Sequence, residues 1–299
     1  MKSYGAFRAV DGVDFQIHAG ECFGFLGPNG AGKTTTMRML ACLSRRDAGR
    51  LEVLGMDPDR TPREVKRRLG VVAQDQNLDL ELSVRENLLV YARYFDIPRR
   101  RAAARADELL RFVRLDERAG ERVERLSGGM RRRLQIARAL VNDPEVVLLD
   151  EPTTGLDPQA RRLVWERLRA LRAGGATLVL TTHYMDEAAR LCDRLVIMDH
   201  GRIVREGAPE ALVVGEVGRE VLEARVAEQD LARLLAHLGD GVHSHQRAED
   251  LLLVFADDAE ALRVAAAESG VPHEVTAVRR ATLEDVFLAL TGHKLRDDP

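Results

Sequence analysis

Residue types that handle phosphate stand together early in the chain, in Gly27-Pro28-Asn29-Gly30-Ala31-Gly32-Lys33-Thr34. The spacing is G-x-x-x-x-G-K-[ST]. Glycines let successive backbone N–H groups turn toward one anion, the lysine reaches the β- and γ-phosphates of a nucleotide, and the threonine hydroxyl is a hard oxygen ligand for Mg²⁺. Thr35 continues a run, Thr34–Leu43, that reads as a helix. Its N-terminus adds a positive dipole end to the same anion site. The chemistry implied is a cradle for a nucleotide's phosphates and their Mg²⁺.

Acid is supplied further on. Glu145-Val146-Val147-Leu148-Leu149-Asp150-Glu151-Pro152 is an apolar run closed by two carboxylates. Such a run suits a strand buried on both faces of a parallel sheet, and open α/β sheets bind ligands outside the carboxyl ends of their strands. Asp150 is therefore expected beside the phosphate loop, holding Mg²⁺ directly or through water. Glu151, one residue on, is placed to orient or deprotonate an attacking water. A third stretch, Leu126-Ser127-Gly128-Gly129-Met130, precedes the helix-like Arg131–Val141. Ser127 reads as an N-cap, and Gly128 and Gly129 leave backbone N–H groups free at the helix start. One nucleotide needs only one phosphate cradle. A dimer uses two, if each nucleotide lies between the Lys33 loop of one subunit and the Ser-Gly-Gly turn of the other.

On these stretches the chain closely resembles the ATP-binding subunits of ABC transporters, whose signature normally reads LSGGQ; here Met130 stands at the last position. The resemblance continues in order and implies further roles. Gln74 matches the glutamine that touches Mg²⁺ and water and senses the membrane partner. Asp157, in Gly155-Leu156-Asp157, matches the acid that reaches across the dimer. His183, in Thr181-Thr182-His183, matches the switch histidine that contacts the γ-phosphate and positions Glu151, and Tyr4 matches the aromatic that stacks on adenine. Asn77-Leu78-Asp79 with Val84–Leu88, Trp165–Leu168 and Leu283–Leu288 look like the nodulation-factor and daunorubicin-type exporter ATPases. That likeness implies a separate permease chain and, as cargo, a lipo-oligosaccharide or an amphipathic drug. Such domains usually begin with a strand before the aromatic, and only three residues precede Tyr4. The edge sheet is expected to lack a strand, or the start to lie upstream, with Tyr4 near a fraying end.

The elements that position these residues alternate as strands and helices. Val10–Gly20 and Glu21–Leu26 read as strands, Gly49–Gly55 as a strand with a turn, Thr61–Arg68 as a short helix and Leu69–Ala73 as a strand. From about residue 75 to 141 the pattern turns helical, with Val84–Phe95 and Arg101–Leu115 on either side of Pro98. Strand–helix alternation resumes at Glu145 and runs through Ala176–Leu180, Leu195–Met198 and Arg202–Arg205. After about residue 214 the segments Glu220–Val226, Asp230–Leu238, Leu251–Phe255, Asp258–Glu268, His273–Val278 and Leu283–Thr291 alternate again, without any phosphate or metal pattern. The expected fold is α/β: a P-loop ABC ATPase domain over residues 1–214 with an inserted helical subdomain at about 75–141, then a small α+β accessory domain over 215–299.

Composition sets the limits. The chain has 299 residues, 45% hydrophobic and 31% charged, with net charge −3. No overall basic field invites nucleic acid. Cys22, Cys42 and Cys192 have no metal-ligand spacing and read as free thiols of a reducing compartment. No apolar stretch is long enough to span a bilayer, and no leader pattern opens the chain. The expectation is a peripheral protein at the cytoplasmic face of the membrane, touching it only through the permease, with a second copy of itself as the other partner. A ribosome- or DNA-directed ABC ATPase is the alternative. It is disfavoured by the single P-loop and by the lack of a coiled coil or zinc insert before Asp150.

Overall fold

The computed structural model describes all residues except 76, 249–250 and 292–299. Its first element, β1 (Lys2–Tyr4), pairs antiparallel with β2 (Phe7–Val10), so Tyr4 closes a short hairpin instead of fraying. The strand expected over Val10–Gly20 is absent beyond Val10. Val13, Phe15 and Ile17 alternate as a strand would and pack on the core, but among the described residues no ladder partner is paired with them. The Gly49–Gly55 strand likewise reduces to one isolated bridge, Val53 to Met56.

Next come β3 (Cys22–Leu26), α1 (Lys33–Leu40), α2 (Pro62–Arg67) and β4 (Leu69–Val72). The helical stretch holds α3 (Val84–Arg93), α4 (Arg99–Phe112) and α5 (Gly128–Ala139). Helix α3 starts at a capping box in which Ser83 and Glu86 each bond the other's backbone N–H. Then follow β5 (Val146–Asp150), α6 (Pro158–Ala173), β6 (Thr177–Thr182), α7 (Met185–Leu191), β7 (Arg194–Asp199) and β8 (Arg202–Gly207). One sheet gathers these strands in the order β4-β5-β6-β3-β7-β8, with every pair from β4 to β7 parallel. Every residue of β3, β5 and β6 is buried, which is why these runs are apolar without alternation.

Parallel register brings the carboxyl ends together. Leu26 lies beside Thr182, and Asp150 beside Thr181. The Lys33 loop, the Asp150-Glu151 pair, His183 and Gln74 therefore all leave the same edge of the sheet. Phe15, Phe23 and Phe25 pack against one another beneath it, with centroids 5.0–6.1 Å apart.

The chain divides into two compact units, Met1–Val204 and Arg205–Pro299. The boundary expected at 214/215 falls inside a helix that the sequence reading did not identify, α8 (Pro209–Val217), and the division lies earlier, within β8. The second unit continues with β9 (Glu220–Val226), α9 (Glu228–Leu238), β10 (Ser244–Ala248), β11 (Leu251–Ala256), α10 (Ala259–Glu268), β12 (His273–Arg280) and α11 (Leu283–Thr291). Strands β9–β12 form an antiparallel sheet in the order β10-β11-β9-β12, the split β-α-β arrangement. Helices α9 and α10 bury Leu234, Leu238, Leu262 and Ala266 against Leu222, Leu252 and Val254. Helix α11 packs on α8, and its Asp285 receives the Arg279 guanidinium of β12 through both carboxylate oxygens, at 2.8 Å each. Residues 292–299 of the expected accessory domain lie outside the described residues.

Candidate active site

Gly32 ends the loop that follows β3 and caps α1 at φ 99°; a Cβ there would stand 2.4 Å from the Ala9 carbonyl oxygen. No side chain fits that space or prefers that φ. The first helical residue, Lys33, is consequently buried at the sheet edge. Its Nζ donates to the carbonyls of Gly27 (2.7 Å) and Pro28 (2.9 Å) and lies 4.0 Å from Glu151 Oε1. Burial lowers the Lys33 pKa, against the opposing charges of Glu151 and Asp150. Asn29 and Gly30 are exposed at the loop tip, Ala31 is buried, and Thr34 and Thr35 are half-buried.

Thr34 Oγ1 donates to Asp150 Oδ1 at 3.3 Å, and Thr181 Oγ1 donates to the same oxygen. Burial raises the Asp150 carboxyl above its ordinary range, with the Thr181 hydrogen bond opposing. A partly desolvated carboxylate beside a hydroxyl is a hard oxygen pair, which fits Mg²⁺ held by one or two protein oxygens together with phosphates. Among the described residues no group of three or more His, Cys, Asp or Glu side chains is placed to hold a metal ion.

Glu151 takes φ 46°, in the left-handed region, directly after the strand. Such a conformation costs on the order of 1–3 kcal/mol and persists only where surroundings enforce it. Four side chains do so at its carboxylate. Oε1 lies 3.3 Å from His183 Nδ1 and 4.0 Å from Lys33 Nζ, while Oε2 accepts from Gln74 Nε2 at 3.3 Å and Thr154 Oγ1 at 3.2 Å. The His183 hydrogen bond, joined by the charges of His183 and Lys33, holds this carboxyl below its ordinary range against burial.

Sequence reasoning missed two buried residues. Arg132 on α5 donates to the carbonyls of Ala73 (2.6 Å), Asp150, Glu151 and Pro152 (2.8 Å each). It thereby ties the helix after the Ser-Gly-Gly turn to the Gln74 loop and to the Glu151 turn. Burial pushes its pKa down to about 10, so it stays charged at neutral pH. Within the Arg-rich stretch Arg131–Arg133 nothing marks which guanidinium turns inward. Glu187 on α7 is fully buried. In sequence it looks like an ordinary acid in a helix's first turn.

The remaining expected residues stand apart from this cluster. Ser127 Oγ accepts from Met130 N–H at 3.3 Å, confirming the cap, and α5 begins at Gly128 instead of Arg131. Asp157 caps α6 by accepting from Ala160 N–H at 2.9 Å. Both are exposed, and among the described residues no hydrogen bond joins Ser127, Asp157 or Tyr4 to Lys33 or Glu151. Tyr4 is half exposed, with Lys2 Nζ 5.4 Å from its ring centroid.

Known proteins resemble this chain in sequence and fold. A sequence profile described as "ABC transporter" matches residues 10–154. The chain is 48% identical over 296 residues to the Nod factor export ATP-binding protein I of Paraburkholderia xenovorans, covering 99% of this chain and 96% of that protein. The protein of that name from Mesorhizobium japonicum is 47% identical over 296 residues, with 99% and 86% covered. Among solved structures, an ATP-binding subunit of an ABC transporter matches with TM-score 0.63 and 30% identity over 70% of this chain and 87% of that one. An ATP-binding cassette solved as a dimer in a post-hydrolysis state, with ADP and Pi bound, matches with TM-score 0.61 and 29% identity over 68% and 91%.

Proposed function

The chain belongs to the ABC transporter family as an ATP-binding, ATP-hydrolysing subunit, and on that premise we propose the residues, partners and cargo through which it works. The single observation carrying the proposal is the Glu151 carboxylate, which is ringed by Lys33, Gln74, Thr154 and His183 and kept ionised. Lys33 and the backbone N–H groups of the loop from Gly27 to Thr35, Pro28 excepted, bind and neutralise the triphosphate. Thr34 and Asp150, with Gln74 at the rim, would hold Mg²⁺, which supplies charge neutralisation on the phosphates. Glu151 accepts a proton from the attacking water, and His183 keeps that carboxylate aimed. Tyr4 stacks on the adenine. Ser127, Gly128, Gly129 and Asp157 serve the partner copy's nucleotide, which accounts for their separation from Lys33 in one chain. The cassette solved as a dimer with ADP and Pi supports this sandwich.

A separate permease is proposed to dock at the helical subdomain. A 530 Å³ groove there is lined by Asn77, Asp79, Leu82, Tyr91, Tyr94 and Arg138, beside the Gln74 loop. Among the described residues no helix is long and apolar enough to cross a membrane, which fits a subunit bound at the cytoplasmic face through that partner. The relatives named for Nod factor export favour a lipo-oligosaccharide cargo, with an amphipathic drug as the other class. Light scattering on Glu151→Gln with ATP and Mg²⁺ tests the sandwich: the mass should double. A monomer at nucleotide concentrations well above its affinity overturns it.

A further inference from the structure

Glu187 is completely buried in the first unit, and the hydrolysis described above makes no use of it. It lies on α7, four residues after His183. Its Oε1 accepts two hydrogen bonds from other elements, from Thr153 Oγ1 at 2.8 Å and Trp165 Nε1 at 2.9 Å. Its Oε2 is also buried and has no well-formed hydrogen bond among the described residues, the Thr182 hydroxyl being its near polar neighbour. An acid in a helix's first turn is ordinarily explained by the dipole, and such an acid faces water. The dipole does not account for complete burial, or for an oxygen shared by two donors from elsewhere in the fold. Burying a carboxyl completely is costly, so its contacts must offset the loss of water.

Those contacts converge on the turn that carries Glu151. Thr153 is fully buried beside Thr154, whose hydroxyl donates to Glu151 Oε2. Arg132 holds the same turn through the carbonyls of Asp150, Glu151 and Pro152. The turn of the left-handed Glu151 is thus held by both a guanidinium from α5 and a carboxyl from α7. Trp165 extends the link to α6, whose N-cap is Asp157.

We propose that Glu187 is a positioning residue for ATP hydrolysis: by accepting from Thr153 and Trp165 it locks the Glu151 turn to the strand–helix junction bearing His183. The two ends of the Glu151–His183 pair then move together. The inference rests on the reading of Glu151 as the group that activates water.

Steady-state kinetics and equilibrium ATP binding on the full chain test it. Glu187→Met keeps the volume and removes the acceptor. It should lower kcat on the order of 10²-fold, as a small misplacement of reacting groups does, with KM and ATP affinity within about threefold. Glu187→Gln keeps the Oε1 acceptor and should restore most of that turnover. Thr153→Val, a milder change that guards against misfolding of the Met variant, should lower kcat in the same direction with affinity kept. The inference is overturned by a normal kcat in Thr153→Val, by equal losses of kcat and ATP affinity in Glu187→Met, or by a Gln variant as slow as the Met variant. Glu151→Gln run alongside separates the two claims. If it turns over normally, the reading of Glu151 fails; if it is slow beside a normal Thr153→Val, only the Glu187 inference fails.

Discussion

Lys33 and Glu151 lie 4.0 Å apart, yet their removal should have different consequences. On the proposed roles, Lys33→Ala takes a cation from the phosphate cradle, so ATP affinity and turnover should fall together. Glu151→Gln leaves the cradle whole and removes only the proton acceptor. Nucleotide affinity should stay within about threefold while kcat falls roughly 10²–10⁴-fold, the usual contribution of general-base catalysis. Fluorescent-nucleotide titration beside single-turnover hydrolysis distinguishes the two, and normal hydrolysis by Lys33→Ala removes that side chain from its role. Gly32 tests the backbone. At φ 99°, with a new Cβ 2.4 Å from Ala9 O, Gly32→Ala must shift the loop or the β2 end. An apparent loss of about 2–4 kcal/mol in thermal or denaturant unfolding is expected, together with weakened ATP binding.

At the scale of elements, α11 and the Gln74 loop show two kinds of attachment. Asp285 accepts from the N–H and hydroxyl of Thr282 at the start of α11 and takes both arms of Arg279. Burial works to raise its pKa, but the Arg279 hydrogen bonds and charge prevail and hold it below 3.8. Because the folded value is depressed, the stabilisation is fully present above pH ~4 and is lost as pH falls through the lower folded value. Asp285→Asn should cost roughly 2–3 kcal/mol at neutral pH, less than a sealed pair would, because Arg279 is 36% exposed and keeps Glu223. It should also flatten the acid limb of the unfolding curve. A variant as stable as the unaltered chain at pH 7 argues against that attachment. The groove beside the Gln74 loop exposes Leu80 at 44% and Tyr94 at 78% nearby. Leu80→Asp combined with Tyr94→Asp should abolish co-purification with the permease and leave ATP affinity unchanged. Retained co-purification and transport would move the docking surface elsewhere.

For the whole molecule, the division at Val204/Arg205 changes where a truncation is informative. A cut at residue 214 would leave most of α8 without α11, exposing Leu212. A chain ending at Gly207 keeps β8 and every residue proposed for ATP chemistry, and its six-stranded sheet is complete. It should bind ATP and hydrolyse it at a basal rate when separated from the second unit, but fail to support efficient export with the permease. A folded chain of residues 1–207 that cannot bind ATP would show that the second unit is needed for the site. Full export by that chain would show that the second unit is dispensable.

The glycine loop before α1, the carboxylate pair that closes β5, the Ser127 cap and the buried parallel strands are all legible in the amino-acid sequence. In each case the signal is local: a glycine spacing, a uniformly apolar run, a hydroxyl before a helix. It also located α11 and β9 to the residue. It misread Val10–Gly20, because the alternation of Val13, Phe15 and Ile17 reports burial on one face and not the presence of a neighbouring strand. It passed over α8, whose buried Leu212 and Val217 make no helical stripe, and so set the boundary too late. Only the tertiary structure decided which of many arginines turns inward at Arg132, and that Glu187 faces Thr153 and Trp165 instead of water. It alone brings Lys33, Gln74, Glu151 and His183 to one point. Their meeting depends on the order in which parallel strands lie side by side, and strand order is a long-range property that no local pattern of residues encodes.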